Sequence, residues 1–290
     1  MNLPAVTLYS CVVKLTATRD AALPQTHGDH AHAAFLGIVR ATDPDLAQLL
    51  HDSGARKPFT VSPLRGLPEP VNGQVRVKAG WECWLRITLI SEPMFAAFIR
   101  RFMLGDVRPT LWIDPGEFAV TEVLTTPGSH PWAGYTTAEA LMDAAGAPDV
   151  DTVALEFASP FAFSLGKHQV EIMPRPELVF STLANKWKQW CGLPLPVMER
   201  EWLKENVLVA EWRMQSRMLR YRTGWQVGSV GTAKFRVFNA DAAIHRALNG
   251  LAGFAFFAGI GYKTTQGMGQ VRRLDQWTPT METEGGDGAE

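Results

Sequence analysis

The sequence predicts an α+β protein built from two tandem ferredoxin-like βαββαβ domains. Strand-like and helix-like patterns follow one another in the order β-α-β-β-α-β twice along the chain. A stretch rich in Pro and Gly, residues 126–135, separates the two series. The 290 residues, 46% of them hydrophobic, suffice for two cores. We expect an N-terminal domain at 1–128, a C-terminal domain at 129–277 and a disordered acidic tail at 278–290.

The first series begins with residues 5–18, whose Val, Leu and Thr content favours a strand. Apolar residues at helical spacing predict a helix over 30–40. Asp43 followed by Pro44 is a helix-start signal for a short second helix that continues to residue 51. An extended segment at 59–61 follows.

Alternating residues over 74–90 then predict one or two strands, and phenylalanines at helical spacing predict a helix over 93–104. A strand at 110–124 completes the first series. A short helix at 136–145 caps or links the halves.

The second series repeats this order. The predicted elements are a strand at 152–157, a helix at 177–191, two long strands at 207–222 and 227–238 joined by a turn at Thr223-Gly224, a helix at 241–256, and a last strand at 268–274.

Composition excludes several classes of protein. The three cysteines form no CxxC pair, which excludes a zinc ribbon or a thioredoxin-type site and suits a reducing cytoplasm. The N-terminus lacks the pattern of a signal peptide, and no apolar run reaches the ~18 residues of a membrane span. We therefore expect a cytoplasmic protein with no membrane partner.

Charge is distributed unevenly along the chain. Residues 212–274 contain ten Lys or Arg and one acid, a net charge of +9, whereas the whole chain carries −1. A polyanion would be attracted to that part of the molecule. The alternative is that these cations are solvated strand faces. The candidates for binding the phosphate backbone are Arg213, Arg217, Arg220, Arg222, Lys234 and Arg236.

A glycine-rich segment, residues 259–269 (GIGYKTTQGMG), follows the last predicted helix. A dinucleotide-binding loop connects a strand to a helix with different spacing, so this segment does not fit one, and a P-loop is also absent. Its glycines allow positive φ, and Lys263 with its neighbouring hydroxyls suits phosphate oxygens. The alternative is a tight loop that crosses its own sheet. The candidate RNA-binding residues here are Gly259, Gly261, Lys263, Gly267 and Gly269.

The segment 259–271 resembles the C-terminal glycine-rich signature of the RAMP superfamily, RNA-binding proteins of CRISPR systems built from ferredoxin-like folds related to the RNA-recognition motif (RRM-like). Residues 155–163 (LEFASPFAF) resemble the "F-x-S-P-T-x-F" strand of the repeat-RNA-processing endoribonucleases, the sixth of the named Cas families. Phe161 stands where that family usually has threonine. Residues 174–183 with Trp187 resemble its "P-x-P-x-x-V-F-x-S-L…W" helix entry.

The N-terminal half carries a further match to the same family. Residues 43–52 (DPDLAQLLHD) resemble its "P-x-L-A-x-x-L-H" helix, and 57–62 resemble its "K-x-F-T-x-S" strand. The resemblance therefore spans residues 1 to about 277 and implies metal-free cleavage of CRISPR repeat (pre-crRNA) RNA. The 2′-hydroxyl would attack the scissile phosphate, giving a 2′,3′-cyclic phosphate and a 5′-hydroxyl.

The resemblance places catalysis on His51, which matches the family's helix-end histidine, and on Lys57, which matches its lysine. Imidazole suits proton transfer near neutral pH, and an ammonium stabilises the charged phosphorane. A helix-end histidine bonded to carbonyls is the alternative for His51. The tyrosine that some members use falls at Leu36, which cannot titrate.

His27, His30 and His32 form a second group of candidates. Some relatives carry a working histidine near this helix, so His32 is a candidate second catalytic group, with a surface loop as the alternative. A metal site is disfavoured because Asp29 is the only nearby acid or cysteine, and we expect no metal and no cofactor. Tyr221, Trp225 and Tyr262 could stack on bases or belong to the core.

Two functions from different classes remain open at this stage. The first is the endoribonuclease, with repeat RNA as its partner and other CRISPR effector subunits as further candidates. The second is a non-catalytic RAMP subunit that binds guide RNA. The sequence leaves monomer or homodimer open.

Overall fold

The computed structural model describes residues 6–52, 57–103, 109–145, 151–166 and 169–274. The expected tail at 278–290 lies outside these residues. The side chain of His51 is also outside the described part, although its backbone belongs to a helix.

The N-terminal half is an antiparallel sheet covered by helices. Its strands are β1 (Thr7–Ala17), β3 (Phe59–Val61), β5 (Glu82–Leu89), β6 (Thr110–Ile113), β7 (Gly116–Leu124) and β8 (Gly134–Thr137), and a separate ribbon pairs β2 (Ala21–Pro24) with β4 (Gln74–Val77). The sheet order is β3-β5-β1-β7-β6, and β8 pairs with the start of β1. The helices are α1 (Gly28–Thr42), α2 (Pro44–Asp52), α3 (Glu92–Met103) and the linking α4 (Ala138–Ala144).

The C-terminal half repeats the plan. Its strands are β9 (Thr152–Phe161), β12 (Val207–Tyr221), β13 (Gly224–Val237) and β14 (Val271–Arg273), in the order β12-β13-β9-β14, with a small hairpin of β10 (Phe163–Gly166) and β11 (Gln169–Glu171). The helices are α5 (Pro176–Trp190), α6 (Arg200–Asn206) and α7 (Ala242–Ala258). Counting β1, β3, β5 and β7 in the first half and β9, β12, β13 and β14 in the second as the main strands, the first and third are central in both halves. This is the ferredoxin-like arrangement. The predicted fold class is confirmed, whereas the boundary at 128/129 stays a prediction.

Several local signals are confirmed as well. The Asp43 carboxylate accepts from the amide of Leu46 at 2.9 Å, and Asp241 does the same for Ile244 at 2.8 Å, so both predicted acids start their helices. The structure selects two strands for 74–90, one of the two alternatives predicted, whereas the prediction of a single strand over 110–124 is wrong. The 74–90 segment becomes β4 and β5, which belong to different sheets, and 110–124 becomes a hairpin that turns at Asp114-Pro115.

A buried polar cluster joins the halves. Arg86 of β5 is 2% exposed and donates to Ser10 Oγ at 2.8 Å, to Gln270 Oε1 at 2.7 Å and to the carbonyl of Phe256. Its guanidinium also lies 4.1 Å from the ring centre of Phe256 and 4.8 Å from that of Trp132. Burial lowers the Arg86 pKa to about 9.

The end of α7 is held by side chains from both halves. Beyond Arg86, Thr88 Oγ1 donates to the carbonyl of Phe257 at 2.6 Å. The buried Lys186 Nζ donates to the carbonyls of Ala258 at 2.8 Å and Gly259 at 2.9 Å. The last carbonyls of a helix have no partners within it, so these bonds satisfy them in a buried place. They fix the point at which the glycine-rich segment begins.

Candidate active site

The N-terminus of α1 carries the three neighbouring histidines, and the structure gives each a different environment. His27 is buried: its Nδ1 lies 3.0 Å from the carbonyl of Pro24, and its Nε2 accepts from the amide of Leu64 at 3.0 Å. Because Nε2 accepts, the ring proton sits on Nδ1 and donates to Pro24. Burial lowers the pKa of His27, so its neutral form is favoured. His27 therefore has a structural role.

His32 lies on the opposite side of α1 from His30, next to β3. Its ring stacks on Phe59, with centroids 5.8 Å apart and planes 5° from parallel. Phe59 opens β3 two residues after Lys57, so α1 brings His32 to the segment that carries Lys57. The helix α2, which carries the backbone of His51 in its last turn, packs against α1 and ends shortly before that same segment.

The glycine-rich segment packs onto these same elements. The amide of Gly267 donates to the carbonyl of Val61 in β3 at 3.0 Å. A Cβ on Gly28, the first residue of α1, would overlap the carbonyl of Gln266. The short 3₁₀ turn Thr264–Gln266 is therefore seated against α1 and β3.

The glycines of this segment lie where the backbone adopts positive φ and, at several positions, passes close to other backbone atoms. Gly259, Gly261, Gly267 and Gly269 all have positive φ, between 63° and 92°. A Cβ at Gly261 would overlap the Ala162 carbonyl, and one at Gly269 the Ile260 carbonyl. Gly267 and Gly269 are buried, whereas residues 261–266 are half-buried. The glycine-rich segment therefore forms the tight loop across its own sheet that was the alternative interpretation. Its residues 261–266 are the ones exposed enough to contact a ligand.

Lys263 occupies the accessible part of this loop in the left-handed region, with φ 55°. Its Nζ donates to Gln266 Oε1 at 3.0 Å and lies 5.0 Å from the ring centre of Tyr221. Burial lowers the pKa of Lys263, and the Asp29 carboxylate of α1 opposes that effect. Tyr221 is buried and donates to the carbonyl of Gln266 at 2.9 Å, so it belongs to the support of the loop.

The basic residues of β12 and β13 divide between two faces of the sheet. Strand register places Arg213, Arg217, Lys234 and Arg236 on the face away from α5 and α7. Lys234 pairs with Glu211 at 3.3 Å and Arg236 with Asp151 at 3.0 Å. Arg213 and Arg217 lie on the exposed edge strand, where Arg217 donates to Gln215 at 2.8 Å.

Arg220 and Arg222 lie at the far end of this hairpin, beside the N-terminal half. The amide of Arg220 donates to Thr26 Oγ1 at 3.1 Å, just before α1. The hairpin end, the glycine-rich loop and the start of α1 therefore meet. Sequence reasoning named residues of all three but missed Arg86 and Gln270, which hold the loop in place, because no local pattern marks a buried polar contact between distant segments.

Two further observations bear on the expected chemistry. Within the described residues, no group of three or more His, Cys, Asp or Glu side chains could hold a metal ion, and the expectation of metal independence stays a prediction. Over the same residues, no helix is long and apolar enough to cross a membrane.

Comparison with known families gives two consecutive matches. The CRISPR Cas6 N-terminal domain matches residues 7–143, and the CRISPR-associated endoribonuclease Cas6 matches residues 155–271. No curated protein sequence matches the chain.

Solved structures are similar over nearly the whole chain. The product complex of Cas6 TTHB231, a protein of Thermus thermophilus, is 28% identical with a TM-score of 0.76, covering 92% of this chain and 100% of that one. The substrate mimic complex of Cas6 TTHA0078 is 26% identical with a TM-score of 0.70, covering 93% and 100%. A Cas6-related protein from Pyrococcus furiosus, 14% identical with a TM-score of 0.60 and covering 94% and 100%, shares the fold.

Proposed function

Because the chain belongs to the Cas6 family of CRISPR-associated endoribonucleases, we propose that it cuts CRISPR repeat RNA without a metal ion, by transesterification at the junction of α1, β3 and the glycine-rich loop. The observation that carries this proposal is the meeting of those three elements. His32 stacks on Phe59 beside Lys57, and the loop bonds to β3 through Gly267. Solved structures of the relatives include a product complex of TTHB231 and a substrate mimic complex of TTHA0078.

The reaction needs three chemical functions at one phosphodiester. A base removes the proton of the 2′-hydroxyl, whose oxygen attacks phosphorus. The bond from phosphorus to the 5′-oxygen then breaks, and an acid protonates that oxygen. The products are a 2′,3′-cyclic phosphate and a 5′-hydroxyl, and the intervening phosphorane needs positive charge.

We assign these functions to side chains at this junction. His51 in the last turn of α2 and His32 on α1 supply base and acid, since imidazole exchanges protons near neutral pH. Lys57, in the segment between α2 and β3, supplies the charge. A histidine-to-alanine mutant is among the solved forms of TTHA0078, which directs attention to histidine in this family.

The C-terminal half holds the RNA in this proposal. Arg213 and Arg217 on the exposed edge strand, Arg220 and Arg222 at the hairpin end, and Lys263 in the accessible loop contact the phosphate backbone. Lys234 and Arg236 remain in this assignment, although each already has an acidic partner. Gly259, Gly261, Gly267 and Gly269 contribute by letting the loop backbone pass close to its own sheet. Other subunits of a CRISPR effector complex are further proposed partners.

Cleavage of the cognate repeat RNA by the purified protein in EDTA tests the proposal. We expect full activity in EDTA, no cut when the scissile nucleotide is 2′-deoxy, and a cyclic phosphate on the upstream product. Loss of activity on chelation would contradict the metal-free chemistry. Specific binding of repeat RNA with no cleavage would instead favour a non-catalytic RNA-binding subunit.

A further inference from the structure

A long groove runs along the face of α1 opposite to His32. It is formed by two adjoining cavities of about 530 and 660 Å³ that share His30, Asp114 and Arg222. One cavity lies between α1, α3 and β6, and the other reaches the tip of the β12–β13 hairpin. Both halves of the chain build this space, which we call the α1 groove. None of the residues proposed for the chemistry lines it.

Each of the two cavities has one exposed tryptophan in its lining, and each tryptophan has an arginine beside its ring. Trp225 is 61% exposed, and the Arg220 guanidinium lies 5.4 Å from its ring centre. Trp112 is 51% exposed, with the Arg19 guanidinium 4.7 Å from its ring centre. Exposed indole rings backed by guanidinium groups are stacking surfaces for unpaired bases.

The middle of the α1 groove carries charge of both signs. Arg222 and Arg101 line it and suit phosphate oxygens. Asp29 and Asp114 flank His30, whose Nδ1 lies 2.7 Å from the carbonyl of Asp114. That contact orients the His30 ring, and Nε2 lies 3.8 Å from Asp29 Oδ1. The carboxylates repel phosphates, so we expect a bound strand to place its phosphates along the arginines and its bases on the tryptophans.

We propose that the α1 groove binds an unpaired stretch of RNA that flanks the cleaved segment, with one base on Trp225 and another on Trp112. This inference rests on the proposed function, because it takes the repeat RNA as the ligand. The groove starts at the hairpin end and lies across α1 from the proposed cleavage site. An RNA strand leaving that site around the start of α1 would enter it.

The test compares two RNAs and two variants. The first RNA is the minimal cleaved repeat, and the second adds roughly six unpaired nucleotides, within the span of such grooves, on the 5′ or on the 3′ side in separate arms. Binding is measured with an RNA whose scissile nucleotide is 2′-deoxy. We expect Trp112→Ala and Trp225→Ala each to weaken binding of one extended RNA by about five- to tenfold, the lower part of the range for loss of one base stack.

Binding and cleavage of the minimal repeat should be unchanged in both variants. Tyr135→Ala is the matched control, since Tyr135 is 54% exposed on β8 and lines neither cavity. Equal affinity of wild type and both variants for every extended RNA would overturn the inference. Equal losses for minimal and extended RNA would also overturn it, because the tryptophans would then belong to the main binding site.

The proposed function fails by a different result. If the wild type does not cleave the minimal repeat, the endoribonuclease proposal fails, whatever the variants do. Quenching of tryptophan fluorescence by an unstructured RNA oligonucleotide, compared between wild type and the Trp112→Ala/Trp225→Ala double variant, then still tests the groove. Identical quenching amplitudes in the two proteins would count against it.

Discussion

The two halves share one strand order but differ most in their second main strand. In the N-terminal half this strand is β3, three residues long and buried between β5 and the glycine-rich loop. In the C-terminal half it is β12, fifteen residues long and largely exposed on an edge. Strand β13 pairs with β9 only between residues 229 and 236, so the hairpin extends beyond its own sheet toward α1.

This difference corresponds to the two roles proposed for the halves. The short second strand lies against α1 and the glycine-rich loop, the elements at which the proposed chemistry would position RNA beside the acid and the base. A long edge strand displays cations along an extended line, as binding of a phosphate backbone requires. The comparison predicts that changes in the first half alter rate, and that changes in the hairpin alter affinity.

The largest expected effect comes from the histidines of the first half. His51→Ala and His32→Ala should each lower the single-turnover cleavage rate by about 10²- to 10⁴-fold, the contribution of a positioned acid or base. Affinity for 2′-deoxy repeat RNA should not change. His245→Ala, in the first turn of α7 and in the lining of a cavity shared with α4, is the matched control. A fall in affinity as large as the fall in rate would contradict the proposal that the first half cuts the RNA and the second half holds it.

The next largest effect concerns the joint between the halves. Arg86→Met leaves the Phe256 carbonyl, Ser10 and Gln270 without their donor, and we expect about 3 kcal/mol less free energy of unfolding. Urea denaturation measures this loss. Arg76→Met, at an exposed arginine of β4, should change stability little. An equally small effect at Arg86 would mean that the halves are joined mainly by apolar packing.

A smaller effect is expected on the hairpin. The double substitution Arg213→Gln and Arg217→Gln should weaken RNA binding about tenfold at moderate salt and reduce the slope of log affinity against log salt by roughly 1.4, for two lost contacts with single-stranded RNA. The cleavage rate at saturating RNA should persist. Lys188→Gln on α5 is the control cation. An unchanged salt slope would show that these arginines face solvent in the complex.

The smallest effect is a pH dependence at His27. Because the folded pKa lies below the ordinary 6.5, the unfolded chain takes up a proton that the folded chain does not. This contribution to stability is present above pH 6.5 and is lost as the pH falls below it. His27→Gln should cost about 1 kcal/mol at pH 7 and lose less stability than wild type between pH 7 and pH 5. Parallel pH profiles of wild type and variant would contradict a neutral buried ring.

Sequence signals predicted the elements well where the interactions that form them are between neighbouring residues. Acids at helix starts, apolar spacing and a tight turn between two strands all depend on neighbours within a few residues. The structure confirms the helix starts, and it places the turn one residue earlier than predicted, at Arg222-Thr223. The sequence signals left open whether 74–90 forms one strand or two, and they failed to separate β6 from β7, because alternation marks a strand without indicating its partner. The membership of β4 in a ribbon with β2 depends on pairing between residues 50 to 56 positions apart.

The candidate site divides in the same way. Sequence patterns and family resemblance pointed to His32, His51, Lys57 and the glycine-rich loop, and these assignments stay proposals. The resemblance favoured His32, but no sequence pattern gave the environments of His27, His30 and His32, which lie within six residues. The turn of α1 sends His32 toward Phe59 and His30 toward Asp114, and burial removes His27 from the surface.

The sequence by itself therefore determined the order of elements, the repeated fold and the family, because each depends on patterns carried within short segments. Only the tertiary structure decided which segments meet. The buried side chains of Arg86, Thr88 and Lys186 bind the end of α7 and thereby fix the start of the glycine-rich loop. Arg86 and Thr88 are each more than 150 residues from the carbonyl that they bind. These contacts form because buried polar groups need hydrogen-bond partners in the folded molecule, and those partners come from segments that no local sequence pattern identifies.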